Sequence, residues 1–389
     1  MKDEREEFAT ALRRKLALPQ IPALNGIRAV AVFLVIFYHY GLRLPGNFKV
    51  PGAHGVLIFF VMSGFLITWL LLKESEKYGR ISLRAFYRRR VLRIFPAFYF
   101  YWVLLVAILL LGGHQIVWLQ TISSFLYLSN YYQAIFGDPN NGFSHTWSLA
   151  IEEQFYLFWP FLFATFRHDL KKMTLFLVGL IGSVWIHRCV LYFVFGASQE
   201  YFYAAFDTRL DSLMVGCLLA VLLKRGVLMR FWERVCRGYA IPVLTVMLFV
   251  ASVFAGPLLI PRYRDFVGLA IDPLLVAVII VQAIALSSTW LFKWMEWGWV
   301  RFLGQISYSL YLYQQLTLQS VHNRLTGQPE IVQLCAAITV TILAACFSFY
   351  VIERPFLKLK DRKTEGPVEA PVKDAAQPSP VTLNLQRIE

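Results

Sequence analysis

The chain of 389 residues is 58% hydrophobic and only 16% charged, against about half and about a quarter in soluble globular proteins. That balance excludes an ordinary soluble enzyme, because apolar runs long enough to cross a bilayer recur from end to end. The formal net charge of +14 fits nucleic acid, anionic lipid or a polyanionic substrate, and the placement of the charges decides among them.

The opening segment, 2–18, mixes both signs of charge and stops at Pro19, unlike a cleaved signal peptide, so it is expected to be retained. Its apolar residues Phe8, Ala11, Leu12 and Leu16 are spaced for a helix lying on the membrane surface, with a solvated charged helix as the alternative. Requiring about 20 apolar residues for each crossing places ten spans near 24–43, 54–72, 94–111, 147–166, 174–195, 207–223, 239–256, 266–286, 302–320 and 331–352. The stretch 116–132 is apolar but short, and it carries Gln120, Ser123, Ser124, Ser129 and Asn130.

With the N-terminus inside, the inner segments hold 30 Lys and Arg and the outer loops only five, the bias that orients membrane proteins. Counting 116–132 as a crossing would invert every later loop, so it reads as a re-entrant or surface-lying piece. The fold expected is therefore an all-α polytopic membrane protein with about ten transmembrane helices and both termini cytoplasmic. Residues 1–20 form a cytoplasmic segment, 21–358 the membrane domain, and 359–389, rich in proline and small or charged residues, a disordered tail.

No CxxC relates the five cysteines, and no Walker loop, GxGxxG or HExxH is present, so neither a metal nor a permanently bound cofactor is expected. With its basic residues gathered in membrane loops, the chain is not expected to bind nucleic acid.

Ionisable groups within spans cost about 2.5–3.5 kcal/mol each and tend to face a cavity or a partner. The first span holds Arg28 and His39, eleven residues apart, which returns them to nearly one helix face about 16 Å apart along the axis. They form a polar stripe joining the two leaflets, unless each snorkels to its own interface. A histidine so placed suits a general base. In the fourth span Ser148 and Glu152 share a face and Glu153 is turned by about 100°. The pair of carboxylates below Trp147 exceeds what a helix N-terminus capped by Ser144 requires. Asp207 and Asp211 share a face of the sixth span, with Arg209 roughly opposite, a pattern suited to charge pairing between helices that holds an outer vestibule. The loop 80–93 carries Arg80, Arg84, Arg88, Arg89, Arg90 and Arg93. It serves the inside-positive bias and could also meet a donor's phosphates, since Arg forks match phosphate oxygens.

Several segments, taken in order, carry a resemblance. They are Asn25-Gly26-Ile27-Arg28 leading to Tyr38-His39, Phe59 to Ile67, Arg90-Val91-Leu92-Arg93-Ile94-Phe95-Pro96, and Thr146-Trp147-Ser148-Leu149 to Tyr156. Asp207 to Asp211, Ser307 to Leu312 and Glu353-Arg354-Pro355-Phe356 complete the series. Over roughly residues 20–358 the chain resembles the acyltransferase 3 family of integral membrane acyltransferases.

The resemblance implies transfer of an acyl group, usually acetyl, from cytoplasmic acyl-CoA to a hydroxyl of a cell-surface or exported carbohydrate such as lipopolysaccharide or exopolysaccharide. It implies a multi-pass protein of the bacterial inner membrane. His39, Glu152 and Glu153 are the expected catalytic residues, Arg28, Arg90 and Arg93 the donor-binding ones, and Trp147, Ser148, Asp207, Arg209 and Asp211 the acceptor-binding ones. Acyl-CoA enters as donor substrate. Two residues depart from the pattern: Asn25 stands where many members have Asp, and Tyr313-Gln314 where many have Trp-His, which puts the burden on His39 alone. No hydrolase-like domain is appended, so a stand-alone membrane module is expected. The competing class is a transporter or flippase of a lipid-linked glycan, which also lines its path with intramembrane charges; the absence of a visible repeat disfavours it.

Overall fold

The structure, a computed structural model, describes residues 2–44, 48–258 and 264–362. Its helices are α1 (Lys2–Ala17), α2 (Pro22–Tyr40), α3 (Gly52–Tyr78), α4 (Leu83–Leu111), α5 (Trp118–Phe125), α6 (Ser129–Phe136), α7 (Thr146–Phe166), α8 (Leu170–Phe193) and α9 (Gln199–Ala204). They continue with α10 (Phe206–Arg225), α11 (Met229–Val235), α12 (Ala240–Leu258), α13 (Leu269–Ala285), α14 (Trp290–Lys293), α15 (Gly298–Gln305), α16 (Ser307–Arg324), α17 (Glu330–Phe347) and α18 (Arg354–Arg362). Two-residue strands, Arg43–Leu44 and Phe48–Lys49, pair antiparallel beyond α2.

The protein is an all-α polytopic membrane protein. Six segments of the described residues are long and apolar enough to cross a bilayer: Pro22–Tyr40, Gly52–Tyr78, Leu83–Leu111, Leu170–Phe193, Asp265–Ala285 and Glu330–Leu359. A bent pair, Gln199–Arg225 with Met229–Val235, offers a seventh. Helices also lie over the other expected windows, but α7 and α16 are too polar to count among these spans, and α12 contributes a shorter apolar stretch, Ala240–Ala255. The polar residues Ser148 of α7 and Ser307, Ser309, Gln314 and Thr317 of α16 are buried inside the bundle.

The stretch 116–132 is not one helix. It forms α5 and α6, of eight residues each, or about 12 Å apiece, too short to span. They are broken where Tyr127 adopts a positive φ of 55°. Their polar residues Gln120, Ser124, Ser129 and Asn130 are buried.

Helix α1 turns its apolar stripe onto protein. Leu12 and Leu16 are buried, Lys15 Nζ donates to the Ala285 carbonyl at 2.8 Å, and Trp69 Nε1 donates to the Leu16 carbonyl at 3.2 Å. Of the tail expected from 359, the first residues continue α18 to Arg362; 363–389 lie outside the described residues.

Helix α3 occupies the centre, against α2 on one side and α10 on the other. The crossing with α10 is set by two glycines. A side chain on Gly64 would strike the Leu213 carbonyl, and one on Gly216 would strike the Val61 carbonyl. Small residues at such a crossing let two backbones meet in a bilayer, where packing rather than the hydrophobic effect holds helices together. The contact fixes Ser63, beside Gly64, against α7.

Candidate active site

Five helices converge on one internal chamber of about 100 Å³, room for a row of water-sized groups. Helix α2 supplies Arg28, α4 supplies Arg90 and Arg93, α7 supplies Ser148, Glu152, Glu153 and Tyr156, and α16 supplies Ser307, Tyr308 and Tyr311. Ser63 closes the wall from α3. Glu153, although turned from Glu152 on its helix, reaches the same space, so the chamber spans more than one face of α7.

The carboxylate of Glu152 is held from two sides. Ser63 Oγ donates to its Oε1 at 2.7 Å, and Tyr156 OH donates to Ser63 Oγ at 3.1 Å and to Glu152 Oε2 at 3.4 Å. Arg28 lies within electrostatic reach of Arg90, Arg93 and Glu152. Arg90 stacks its guanidinium over the rings of Phe86 at 5.6 Å and Tyr156 at 5.3 Å. Guanidiniums stay charged at any physiological pH, so three fixed positive charges outnumber two carboxyls and the chamber attracts anions. The approach to α4 is ordered by Ser82, whose hydroxyl caps the helix at the Ala85 N–H, and by Arg89, paired with Glu74 at 2.7 Å.

His39 lies elsewhere. It lines a second cavity of about 610 Å³ with Tyr40, Leu105, Leu109, His114, Asn141, Gln315 and residues further along α16. Its Nδ1 meets the Val35 carbonyl at 3.0 Å. A carbonyl only accepts, so this bond assigns the proton of the neutral ring to Nδ1 and leaves Nε2 as the acceptor, with the Gln314 side chain beside the ring. Thus α2 and α16 each line both spaces, Arg28 and Tyr311 at one, His39 and Gln315 at the other. Helix α4 does the same with Arg93 and Leu105.

Of the expected site residues, Arg28, Arg90, Arg93, Ser148, Glu152 and Glu153 come together in the first chamber and His39 sits in the second. Trp147, Asp207, Arg209 and Asp211 line neither. Trp147 is buried against Phe60 and Tyr203, with the Arg209 guanidinium over its ring at 5.7 Å. Asp211 pairs with buried Arg188 at 2.7 Å and accepts from Trp185 Nε1 at 3.0 Å. Asp207 meets His187 at 2.8 Å. These are contacts between helices, as the pattern of charges in the sixth span predicts for Asp207 and Asp211. Ser144 does not cap α7. That position falls to His145, without a side-chain cap bond, and Ser144 Oγ accepts from the Asn141 N–H instead.

Sequence reasoning missed Ser63, Tyr156, Tyr308, Tyr311 and His145. Ser148 Oγ meets Tyr311 OH at 2.6 Å, and Tyr311 OH donates to the His145 carbonyl at 2.9 Å. The signal available was the series of hydroxyls in Ser307-Tyr308-Ser309-Leu310-Tyr311, polar residues in a window otherwise apolar enough to be a span.

Comparison with known proteins gives the family of the chain. The acyltransferase 3 family model, described as an acyltransferase domain, matches residues 21–351. Among curated relatives, the peptidoglycan O-acetyltransferase OatA of Listeria monocytogenes is 32% identical over 363 residues, covering 87% of this chain and 56% of that protein. The O-acetyltransferase OatA of Staphylococcus aureus (strain NCTC 8325 / PS 47) is 31% identical over 368 residues, covering 87% of this chain and 57% of that protein. The chain therefore spans a little over half the length of these relatives. No solved structure matches it significantly. With its residues 21–351 matched, the chain belongs to the acyltransferase 3 family.

Proposed function

We propose that this protein transfers an acyl group, acetyl in the first instance, from cytoplasmic acyl-CoA to a carbohydrate hydroxyl on the far side of the bacterial inner membrane. In this reading the protein crosses the membrane ten times with both termini in the cytoplasm. The donor's phosphates meet the basic loop 80–93 and its thioester arm enters the chamber of Arg28, Arg90 and Arg93. Family membership favours transfer over transport of a glycan.

The acceptor hydroxyl reaches His39 from the second cavity. His39 Nε2 takes the hydroxyl proton while the oxygen forms a bond to the acyl carbon. The carbon–sulfur bond then breaks, and the imidazolium returns its proton to the departing CoA thiolate. In a two-step variant, His39 carries the acyl group between donor and acceptor. Glu152, fixed by Ser63 and Tyr156, and Glu153 hold the reacting groups in line from the first chamber. The name of the Listeria relative points to peptidoglycan as one acceptor; lipopolysaccharide and exopolysaccharide sugars offer the same chemistry.

The observation that supports this reading is the distribution of side chains along α2, with Arg28 among the guanidiniums of one cavity and the His39 imidazole in the other. The purified protein should release CoA thiol from acetyl-CoA only when a glycan acceptor is present, and the glycan should gain one acetyl increment by mass spectrometry. Glycan movement across a bilayer with no consumption of acetyl-CoA would contradict it.

A further inference from the structure

Between the linings of the two cavities lies a short polar seam. His145 and Gln314 form it, at 2% and 0% exposure. His145 Nδ1 meets Gln315 Oε1 at 2.8 Å, and Gln315 lines the second cavity. On the other side, the His145 carbonyl accepts from Tyr311, which holds Ser148, and both of those line the first chamber. Gln314 stands between Tyr311 and Gln315 on α16, with its side-chain amide directed toward the His39 ring but outside hydrogen-bond geometry.

Three polar atoms of this seam have no hydrogen-bond partner among the described residues: His145 Nε2, Gln314 Oε1 and Gln314 Nε2. The His145 ring lies near the Leu312 backbone, but its Nε2 has no partner of hydrogen-bond geometry, as expected if Nδ1, bonded to the Gln315 oxygen, carries the proton. Leaving such groups buried and unsatisfied costs about 1–3 kcal/mol apiece. A cluster of them in the wall between two cavities therefore points to a ligand that completes it.

We infer that His145 and Gln314 bind the pantetheine arm of the donor where it passes from the arginine chamber toward His39. The chemistry of the arm fits. It carries two secondary amides, each with one N–H and one C=O. The Gln314 side chain offers one donor group and one acceptor, matching an amide on both counts, and His145 Nε2 accepts a further N–H. The Tyr311–Ser148 and His145–Gln315 bonds hold the two residues in register, so the thioester beyond the arm is delivered at one height relative to His39. Both residues are donor-binding groups that position the thioester, and the inference rests on acyl-CoA being the donor.

The test compares acetyl-CoA with its arm-less fragment, 3′-phosphoadenosine 5′-diphosphate, by titration calorimetry and thermal melting of the purified full chain in nanodiscs. Wild type should bind acetyl-CoA more tightly than the fragment. In Gln314→Leu and His145→Phe this advantage should shrink roughly five- to tenfold, the size of one lost hydrogen bond, while fragment affinity stays unchanged. Unliganded Gln314→Leu should melt at or above wild type, because an apolar isostere removes an unsatisfied buried amide. An unchanged acetyl-CoA advantage overturns the inference. So does an unliganded Gln314→Leu protein melting well below wild type, or loss of the fragment together with acetyl-CoA, either of which ties these residues to the fold rather than the arm. Failure of wild type to bind either compound would instead remove the acyl-CoA reading itself.

Discussion

Arg28 and His39 share one helix yet line different cavities, the guanidinium among Arg90, Arg93 and Glu152 and the imidazole in the larger space bounded by Asn141 and Gln315. A single rigid rod thus sets the distance between the arginine-lined chamber and the cavity that holds the imidazole. Eleven residues of α-helix hold that separation near 16 Å, about half the thickness of a bilayer's hydrocarbon core.

The arginines should govern donor affinity. Replacing Arg93 by Ala, or Arg90 by Ala, removes a charge-assisted contact worth about 1.5–3 kcal/mol. The apparent affinity for acetyl-CoA should fall roughly 10- to 100-fold. Arg→Lys at either position should recover only part of it, since an ammonium cannot fork onto phosphate. Steady-state kinetics with varied acetyl-CoA checks both.

Ser63→Ala should act on turnover rather than on binding. It removes the 2.7 Å bond to Glu152 and one acceptor for Tyr156, while Gly64 and the α3–α10 crossing are untouched. We expect kcat to fall on the order of tenfold, the size of a hydrogen bond to a charged group, with the KM for acetyl-CoA within about twofold of wild type. A changed KM with unchanged kcat would place Glu152 in donor binding instead.

How much of this was legible in the sequence differs from residue to residue. Arg28, Arg90, Arg93, Glu152 and Glu153 stand out because a charge in an apolar window is costly and needs a reason. The cost alone does not say which reason: Asp211 and Arg188 are as conspicuous in the sequence, yet they satisfy each other between α8 and α10. Ser63, Tyr311 and His145 were invisible for the opposite cause. Uncharged groups that bond to a neighbouring helix cost little to bury, and their partners lie 89, 163 and 170 residues away. The bundle itself followed from apolar runs, but the break of 116–132 into two short helices depended on Tyr127 taking a left-handed conformation that no composition signals.

Asp211→Ala tests the structural reading of the sixth span. It leaves the fully buried Arg188 without its carboxylate, a change that costs about 3–5 kcal/mol. The variant should melt well below wild type or accumulate poorly. A double replacement, Arg188→Met with Asp211→Leu, should recover most of the stability while keeping wild-type affinity for acetyl-CoA. Thermal melting in detergent together with acetyl-CoA titration separates the two effects.

Gly64→Ala and Gly216→Ala should each destabilise the protein by about 1–3 kcal/mol. The added methyl meets backbone carbonyls of the facing helix, Leu213 and Val61, which cannot rotate away as a side chain would. Gly179→Ala is the control, since nothing lies within contact of its position; it should melt as wild type does.

The most direct measurement uses proteoliposomes with labelled acetyl-CoA on the side of the 80–93 loop and a glycan acceptor sealed on the other. Wild type should acetylate the sealed glycan. His39→Ala should bind acetyl-CoA with unchanged affinity yet slow acetylation by about 10²- to 10⁴-fold, the contribution of a positioned general base. Full acetylation by His39→Ala, or transfer only when donor and acceptor share one compartment, would contradict the account.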